Sequence, residues 1–216
     1  MNRTITVKGT GTVRAVPDMT VVTFTLRCTD PDYARAAEKA DLQLAALRTA
    51  FAPLGFDKDA LKSTDYRVSA EYEGVPDEHG VYRNVFRGYT CTHGLRLSFD
   101  SDAERLSSVL AAVAASVAEP DLQIRFLVKD PDSVRKQLLR DAAENARKSA
   151  EVLADACGVR LGTLLSVSCG VRDEEIVSGT TFSADAAGCM KARAAVYFAP
   201  EEAEITDTAV FVWEIE

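Results

Sequence analysis

Histidine, tryptophan and long apolar runs are what this 216-residue chain has least of. It holds two histidines and one tryptophan. His79 and His93 stand apart, without the second histidine and intervening glutamate on one helix that a metalloprotease motif needs. The longest near-apolar run, Val109 to Ala118, is too short to cross a bilayer. The first seven residues, Met1 to Val7, contain no apolar stretch of the secretory type, which gives a cytoplasmic expectation. Basic residues are outnumbered 25 to 33, for a net charge of −8. That balance argues against a nucleic-acid partner, which would call for a basic patch. The five cysteines are odd in number, and no two have the spacing of a zinc knuckle or redox pair. Cys28 and Cys157 fall on apolar stripes and read as small core residues, a usage that suits a reducing compartment.

What is present is a well-specified scaffold. Apolar and charged fractions of 47% and 27% belong to an ordinary globular protein. A chain this long can bury roughly 70% of its unfolded surface, so no metal or disulfide staple is required. The acidity is concentrated: Arg172 to Glu216 carries 3 basic and 10 acidic residues. That distribution reads as a solvated acidic surface.

Two helix starts echo each other about one hundred residues apart. Thr29-Asp30-Pro31-Asp32 and Lys129-Asp130-Pro131-Asp132 each offer a capping Asp, then Pro at the first helical position, then an Asp in the positive end of the helix dipole. The runs that follow end at Gly55 and Gly158, as left-handed caps require. These starts predict helices over 31–52 and 131–157, with another from Asp102 to about Ala118. Strand patterns fill the gaps. Thr4 to Lys8 alternates and is broken by Gly9-Thr10-Gly11. Val22, Phe24, Leu26 and Cys28 share one face of a second strand. Tyr66 to Phe99 reads as a long hairpin around the turn 74–80. Leu122–Val128, 162–170, 191–198 and Thr208–Ile215 complete the set, and the polar segment at about 172–190 reads as a mobile loop. The expectation is an α+β fold, a two-layer arrangement of long helices on mainly antiparallel sheet. It forms a single unit over 1–216, with two related lobes at 1–100 and 101–216.

No constellation carries chemistry strongly. Gly9-Thr10-Gly11 lacks the third glycine of a dinucleotide fingerprint, since Arg14 stands there, and a strand rather than a helix follows. It reads as a turn or bulge between strands. No serine lies in a Gly-x-Ser-x-Gly elbow, and the Asp-Pro-Asp carboxylates are explained by capping. No catalytic, cofactor-binding or metal-ligating residue is assigned. The hairpin is different. Tyr66, Tyr72, Tyr82, Phe86 and Tyr89 interleave there with Arg67, Arg83 and Arg87. Tyrosine and arginine are enriched in interface cores. Tyr66, Tyr72, Tyr82, Arg83, Phe86, Arg87 and Tyr89 are therefore the candidate interface, with ordinary sheet surface and single-strand stacking as the other readings.

Three stretches together resemble the SIMPL-domain family. They are Ile5-Thr6-Val7-x-Gly9-x-Gly11-x-Val13 followed by Pro17-Asp18; Gly88-Tyr89 ahead of a strand; and Ala142-x3-Ala146-x3-Ala150-x2-Leu153-Ala154-x3-Gly158-x2-Leu161-Gly162. The resemblance implies an α+β fold with no cofactor and no demonstrated catalytic residue. Its bacterial members are often periplasmic or secreted, some are tied to oxidative-stress defence, and one branch forms ring-like oligomers. An animal relative that interacts with a signalling kinase gave the family its name. The resulting expectation is a non-enzymatic protein that self-associates as a homo-oligomer or binds a protein partner. The alternative is a ligand-binding protein or enzyme that uses a cleft between the lobes, with His93 and nearby carboxylates. A redox role for exposed Cys169 or Cys189 is a third reading.

Overall fold

Asp32, not Asp30, caps the first helix. Its carboxylate accepts from the Arg35 amide at 3.1 Å, and α1 runs Tyr33–Phe51. In the second copy of the motif Asp130 is the cap, accepting from Ser133 at 3.0 Å, and α3 runs Pro131–Ala156. The two Asp-Pro-Asp runs therefore meet their helices two residues out of step. Asp30 accepts instead from the Asp32 amide and from Lys39 Nζ at 2.7 Å. Between these helices α2, Ala103–Ala115, is capped by Asp102. Gly55 and Gly158 do turn left-handed, at φ 79° and 68°.

The computed structural model describes residues 3–76, 81–170, 175–184 and 199–216. Among them are three α-helices, one short 3-10 turn and eight strands: β1 Thr4–Ala15, β2 Met19–Asp30, β3 Leu61–Pro76, β4 Tyr82–Asp100, β5 Asp121–Leu127, β6 Leu161–Cys169, β7 Val177–Ala184 and β8 Ala203–Ile215. The fold is α+β with two sheets, and β1–β8, β2–β4, β3–β4 and β6–β8 pair antiparallel. The expected arrangement of long helices does not hold, because strands supply most of the structure. β3 and β4 alone are 16 and 19 residues long and run unbroken through Gly74, Gly88 and Gly94. Of the segment expected to be a mobile loop, Val177–Ala184 is β7. Its Ser/Thr/Gly-rich composition hid the strand. The flanks 172–174 and 185–190, and the strand expected over 191–198, lie outside the described residues, as does His79.

The chain forms two compact units. One is built from Met1–Asp18, Leu127–Gly179 and Pro200–Glu216, the other from Met19–Phe126 and Thr180–Ala199. In the second unit the strand order is β3-β4-β2-β5-β7. Val22, Phe24 and Leu26 of β2, with Leu95, Leu97 and Phe99 of β4, form the stripe expected from their alternation. Leu47 and Phe51 of α1 and Leu106, Val109, Leu110 and Val113 of α2 close over it. Burying that many aliphatic and aromatic side chains, at about 1.5–3 kcal/mol each, holds the unit together.

In the first unit the order is β1-β8-β6, with α3 laid across β1. Gly9 and Gly11 do not break β1. They let the helix backbone approach. A Cβ on Gly9 would stand 2.0 Å from the Ala142 carbonyl oxygen, and one on Gly11 2.1 Å from that of Leu138. The contact is also hydrogen-bonded. The Thr12 amide donates to Asp141 Oδ2 at 2.9 Å, and Asn145 Nδ2 donates to the Thr10 carbonyl at 2.8 Å. The alanine stripe Ala142, Ala146, Ala150 and Ala154 is buried, and Phe211 stacks on Trp213 beside it. The strand order ends at β6, which runs from Leu161 to Cys169 without a charged residue.

Candidate functional site: an aromatic arm on the β3–β4 hairpin

β3 and β4 continue where β2 stops. The last rung β4 shares with β2 is Tyr89 opposite Asp30. From Glu71 opposite Gly88 to Pro76 opposite Tyr82, β4 pairs with β3 and with no other strand among the described residues. The result is a two-stranded arm. Such a ribbon is marginally stable in water unless it finds another surface. A register shift at Glu71/Tyr72 puts Tyr72 opposite Phe86 and leaves Arg87 as an extra residue. Gly88, at φ 143°, forms the corner beside it.

Alternation then sorts the hairpin chemically. Tyr72 and Phe86 face each other with ring centroids 5.7 Å apart. Phe86 meets Tyr89 at 5.2 Å, and Tyr89 meets Tyr33, the first residue of α1, at 5.6 Å. Edge-on contacts at these distances are the favoured aromatic geometry. Tyr72 and Tyr82 are exposed by 60% and 74%, and Phe86 by 44%. Glu73, Val75, Arg83 and Arg87 alternate with these rings along the two strands, and Arg87 pairs with Glu73. Both members of that pair are exposed, so it adds about 0–1 kcal/mol at most. The structure thus places Tyr72, Tyr82 and Phe86 on the arm, with Tyr89 at its base. Arg83 and Arg87 occupy the alternate positions. Tyr66 lies outside the arm, opposite His93 within the sheet, with its ring edge-on to the imidazole at 5.0 Å.

His93 is 4% exposed. Its Nε2 lies 2.8 Å from Ser63 Oγ, while its Nδ1 is buried without a hydrogen-bond partner. Burial lowers its pKa, against the pull of Asp41, with smaller effects of Arg48 (lowering) and Asp65 (raising). A serine at this distance from a histidine is within reach for proton transfer. A general base, however, needs an acceptor that orients its far nitrogen. Here an Nδ1–H would be buried without an acceptor, whereas an Nδ1 lone pair costs less. The tautomer that avoids a buried Nδ1–H donates from Nε2 to Ser63. Sequence reasoning missed the pair because Ser63 and His93 are thirty residues apart, and a bulge at Ser63/Asp65 sets their register.

The cysteines divide against one expectation. Cys28 is buried as expected, but Cys157 is exposed, as is Cys169, while Cys91 is wholly buried. Cys157 caps the C-terminal end of α3, one turn beyond Ala154, the last buried residue of the helix. Cys189 lies outside the described residues. Among the described residues no three His, Cys, Asp or Glu side chains come together as a metal site. No described helix is long and apolar enough to cross a membrane. The hollows among the described residues include two of more than 400 Å³. One of about 480 Å³ lies between α1 and α2, lined by Ala46, Ala50, Ala112 and Ala115. One of about 410 Å³ lies beside Ala143, Arg147, Leu164 and Trp213. His93 lines neither.

The opening glycines against α3, the Gly88 corner and the buried alanine stripe are the three stretches that carried the family resemblance. A family model described as SIMPL, protein of unknown function (DUF541), matches residues 5–213. The chain belongs to the SIMPL family. The "Uncharacterized protein YggE" of Edwardsiella ictaluri (strain 93-146) is 26% identical over 163 residues, 76% of this chain and 66% of that protein. Its namesakes in Escherichia coli (strain K12) and Shigella flexneri are 22% identical over 163 residues, covering 64% of their length. The match thus spans just under two thirds of these relatives. In this SIMPL chain Gly9 and Gly11 pack against the α3 backbone, and Gly88-Tyr89 marks where the arm leaves the sheet.

Proposed function

We propose that this SIMPL protein is a non-enzymatic, self-associating unit whose contact surface is the aromatic face of the arm. The observation that carries the reading is that Tyr72, Tyr82 and Phe86 stand exposed on a ribbon only two strands wide. Aromatic groups clustered in water favour association, and their rigid rings lose little entropy when they dock. The strand edges that flank the rings offer a second copy main-chain hydrogen bonds. Closed symmetry is the expected form of such an assembly. The wider reading, in which the assembly serves stress defence or binds a protein partner, follows the family resemblance.

The test is the absolute mass of the native chain by light scattering behind a sizing column. A defined multiple of 23.4 kDa is expected. Tyr82→Ala combined with Phe86→Ala should lower that mass while leaving the thermal transition in place, because both side chains are exposed. An unchanged mass in the double variant removes the arm from the interface. A 23.4 kDa wild type overturns self-association.

A further inference from the structure

Cys28 and Cys91 stand directly opposite each other on the β2–β4 ladder. Their exposures are 7% and 0%, and they share one small cluster with Ala36 and Ala40 of α1, flanked by Val68 and Tyr89. Opposed residues of an antiparallel pair have Cα atoms about 4.5 or 5.5 Å apart, according to the type of rung. Both values lie within the roughly 4.4–6.8 Å that a disulfide spans. Opposed side chains also leave the sheet on the same face, so the thiols can meet by rotation about χ1 and a small approach of the strands. The helix contributes only the small side chains Ala36 and Ala40 to this cluster. Among the described cysteines no other two face each other: Cys169 stands opposite Ala209 and Cys157 ends a helix.

We propose that Cys28 and Cys91 form a modification site that closes to an intramolecular disulfide when the chain equilibrates with a low-molecular-weight disulfide. One cysteine thiolate attacks a sulfur of the small disulfide, whose S–S bond breaks and releases one small thiolate. The other cysteine thiolate then attacks the protein sulfur of the mixed disulfide. The Cys28–Cys91 bond forms, and the second small thiolate leaves. The two protons lost by the cysteines pass to the two released thiolates. Two protein thiols are oxidised, and one small disulfide is reduced to two thiols.

Burial governs the rate. The Cys28 thiol is pushed above its ordinary pKa by burial first and by Cys91 second, while Lys39 pulls it down. Thiolate is scarce in the closed fold, and exchange proceeds through local opening. The site therefore behaves as a slow structural bridge, unlike a fast sensor. Its position matters for the arm. The cysteine rung lies two residues inside the Asp30–Tyr89 rung at which the arm leaves the sheet. The loop the bridge would close holds α1 and both strands of the arm.

The experiment uses the full wild-type chain equilibrated in reduced and oxidised glutathione, one sample in native buffer and one at the midpoint of its urea transition before return to native buffer. Both are quenched with acid, alkylated and mapped as peptides without reduction. The expected product joins the Cys28 and Cys91 peptides, two hydrogens lighter than their sum, with no retained glutathione. The bridged chain should melt about 10 °C higher than a Cys28→Ala/Cys91→Ala chain treated alike, given the length of the closed loop. Recovery of Cys28 and Cys91 as alkylated thiols or as separate glutathione adducts in the urea-opened sample overturns the proposal. Bridges joining either residue to Cys157, Cys169 or Cys189 do the same.

Discussion

Gly88 sits so close to Asp30 that a Cβ at position 88 would lie 2.6 Å from the Asp30 carbonyl oxygen and 3.0 Å from Pro31 Cα. The glycine is also held at φ 143°. One position thus lets the chain leave β2 for α1 and lets the arm bend away. Gly88→Ala meets both a backbone obstacle and a strained conformation, and should cost about 2–4 kcal/mol. Urea unfolding of the variant should show a lower midpoint at an unchanged slope. A loss below half a kilocalorie would remove Gly88 from that role.

Gly9 and Gly11 make a sharper comparison, because other glycines of the chain serve as controls. A methyl at Gly9 or Gly11 would run into the α3 backbone at 2.0 and 2.1 Å. The helix cannot retreat without breaking the Asp141 and Asn145 bonds to β1. Each Ala substitution should cost about 3 kcal/mol or more by overpacking. Gly170→Ala meets nothing within 4 Å and should be neutral. Gly55→Ala also has space but stands at φ 79°, so it should cost only about 1 kcal/mol. Four melting curves test the ranking, and it fails if Gly170→Ala costs as much as Gly9→Ala.

Two buried ionisable groups predict separate pH windows. The folded pKa of His93 is lowered, chiefly by burial, from 6.5. Below that pH the unfolded chain takes up a proton that the folded chain resists, so this stability is complete above about pH 6.5 and declines as pH falls. Asp30 is lowered from 3.8, chiefly by its hydrogen bond from Lys39. Its contribution is present above that value and disappears as pH falls through the folded pKa. His93→Gln should flatten the fall in stability between pH 7 and 5, and Asp30→Asn should leave it intact. Equal slopes in the wild type and His93→Gln would refute the assignment.

Tyr66 carries the signature of its neighbour. Its hydroxyl pKa is pushed up to about 12, first by its hydrogen bond with Cys91, then by desolvation. In an alkaline absorbance titration Tyr66 should ionise later than an ordinary tyrosine, near 10. Cys91→Ala should advance that ionisation, and Tyr66→Phe should abolish the late step. A late step that persists in Tyr66→Phe belongs to another tyrosine.

The parts legible in the sequence were those with a local cause. The Val22-Phe24-Leu26-Cys28 stripe, the hairpin and the terminal glycines each follow from periodicity or from a backbone requirement within a few residues. Gly9-Thr10-Gly11 was misread as a strand break because its reason lies about 130 residues away, in the backbone of α3. The Asp-Pro-Asp runs looked equivalent, yet Lys39 draws Asp30 into an ion pair and passes the cap to Asp32. The aromatic residues of the hairpin were visible. The pairing of Tyr72 with Phe86 was not, because it depends on the bulge at Arg87. The Cys28–Cys91 rung depends on a register that pairs positions 63 residues apart, which no spacing rule reads.

The bonds from Asp141 and Asn145 to β1 have a further consequence for growth. They occupy the Thr12 amide and the Thr10 carbonyl, main-chain groups that a newcomer strand would need on that side. At the other end of the same sheet, β6 has β8 as its only strand neighbour among the described residues. A strand joining this sheet therefore has one side to join. If it comes from a second copy presenting its own β6, the two sheets merge back to back, with a helix-guarded strand at each outer limit. Addition of that kind halts at two and cannot propagate into a fibre.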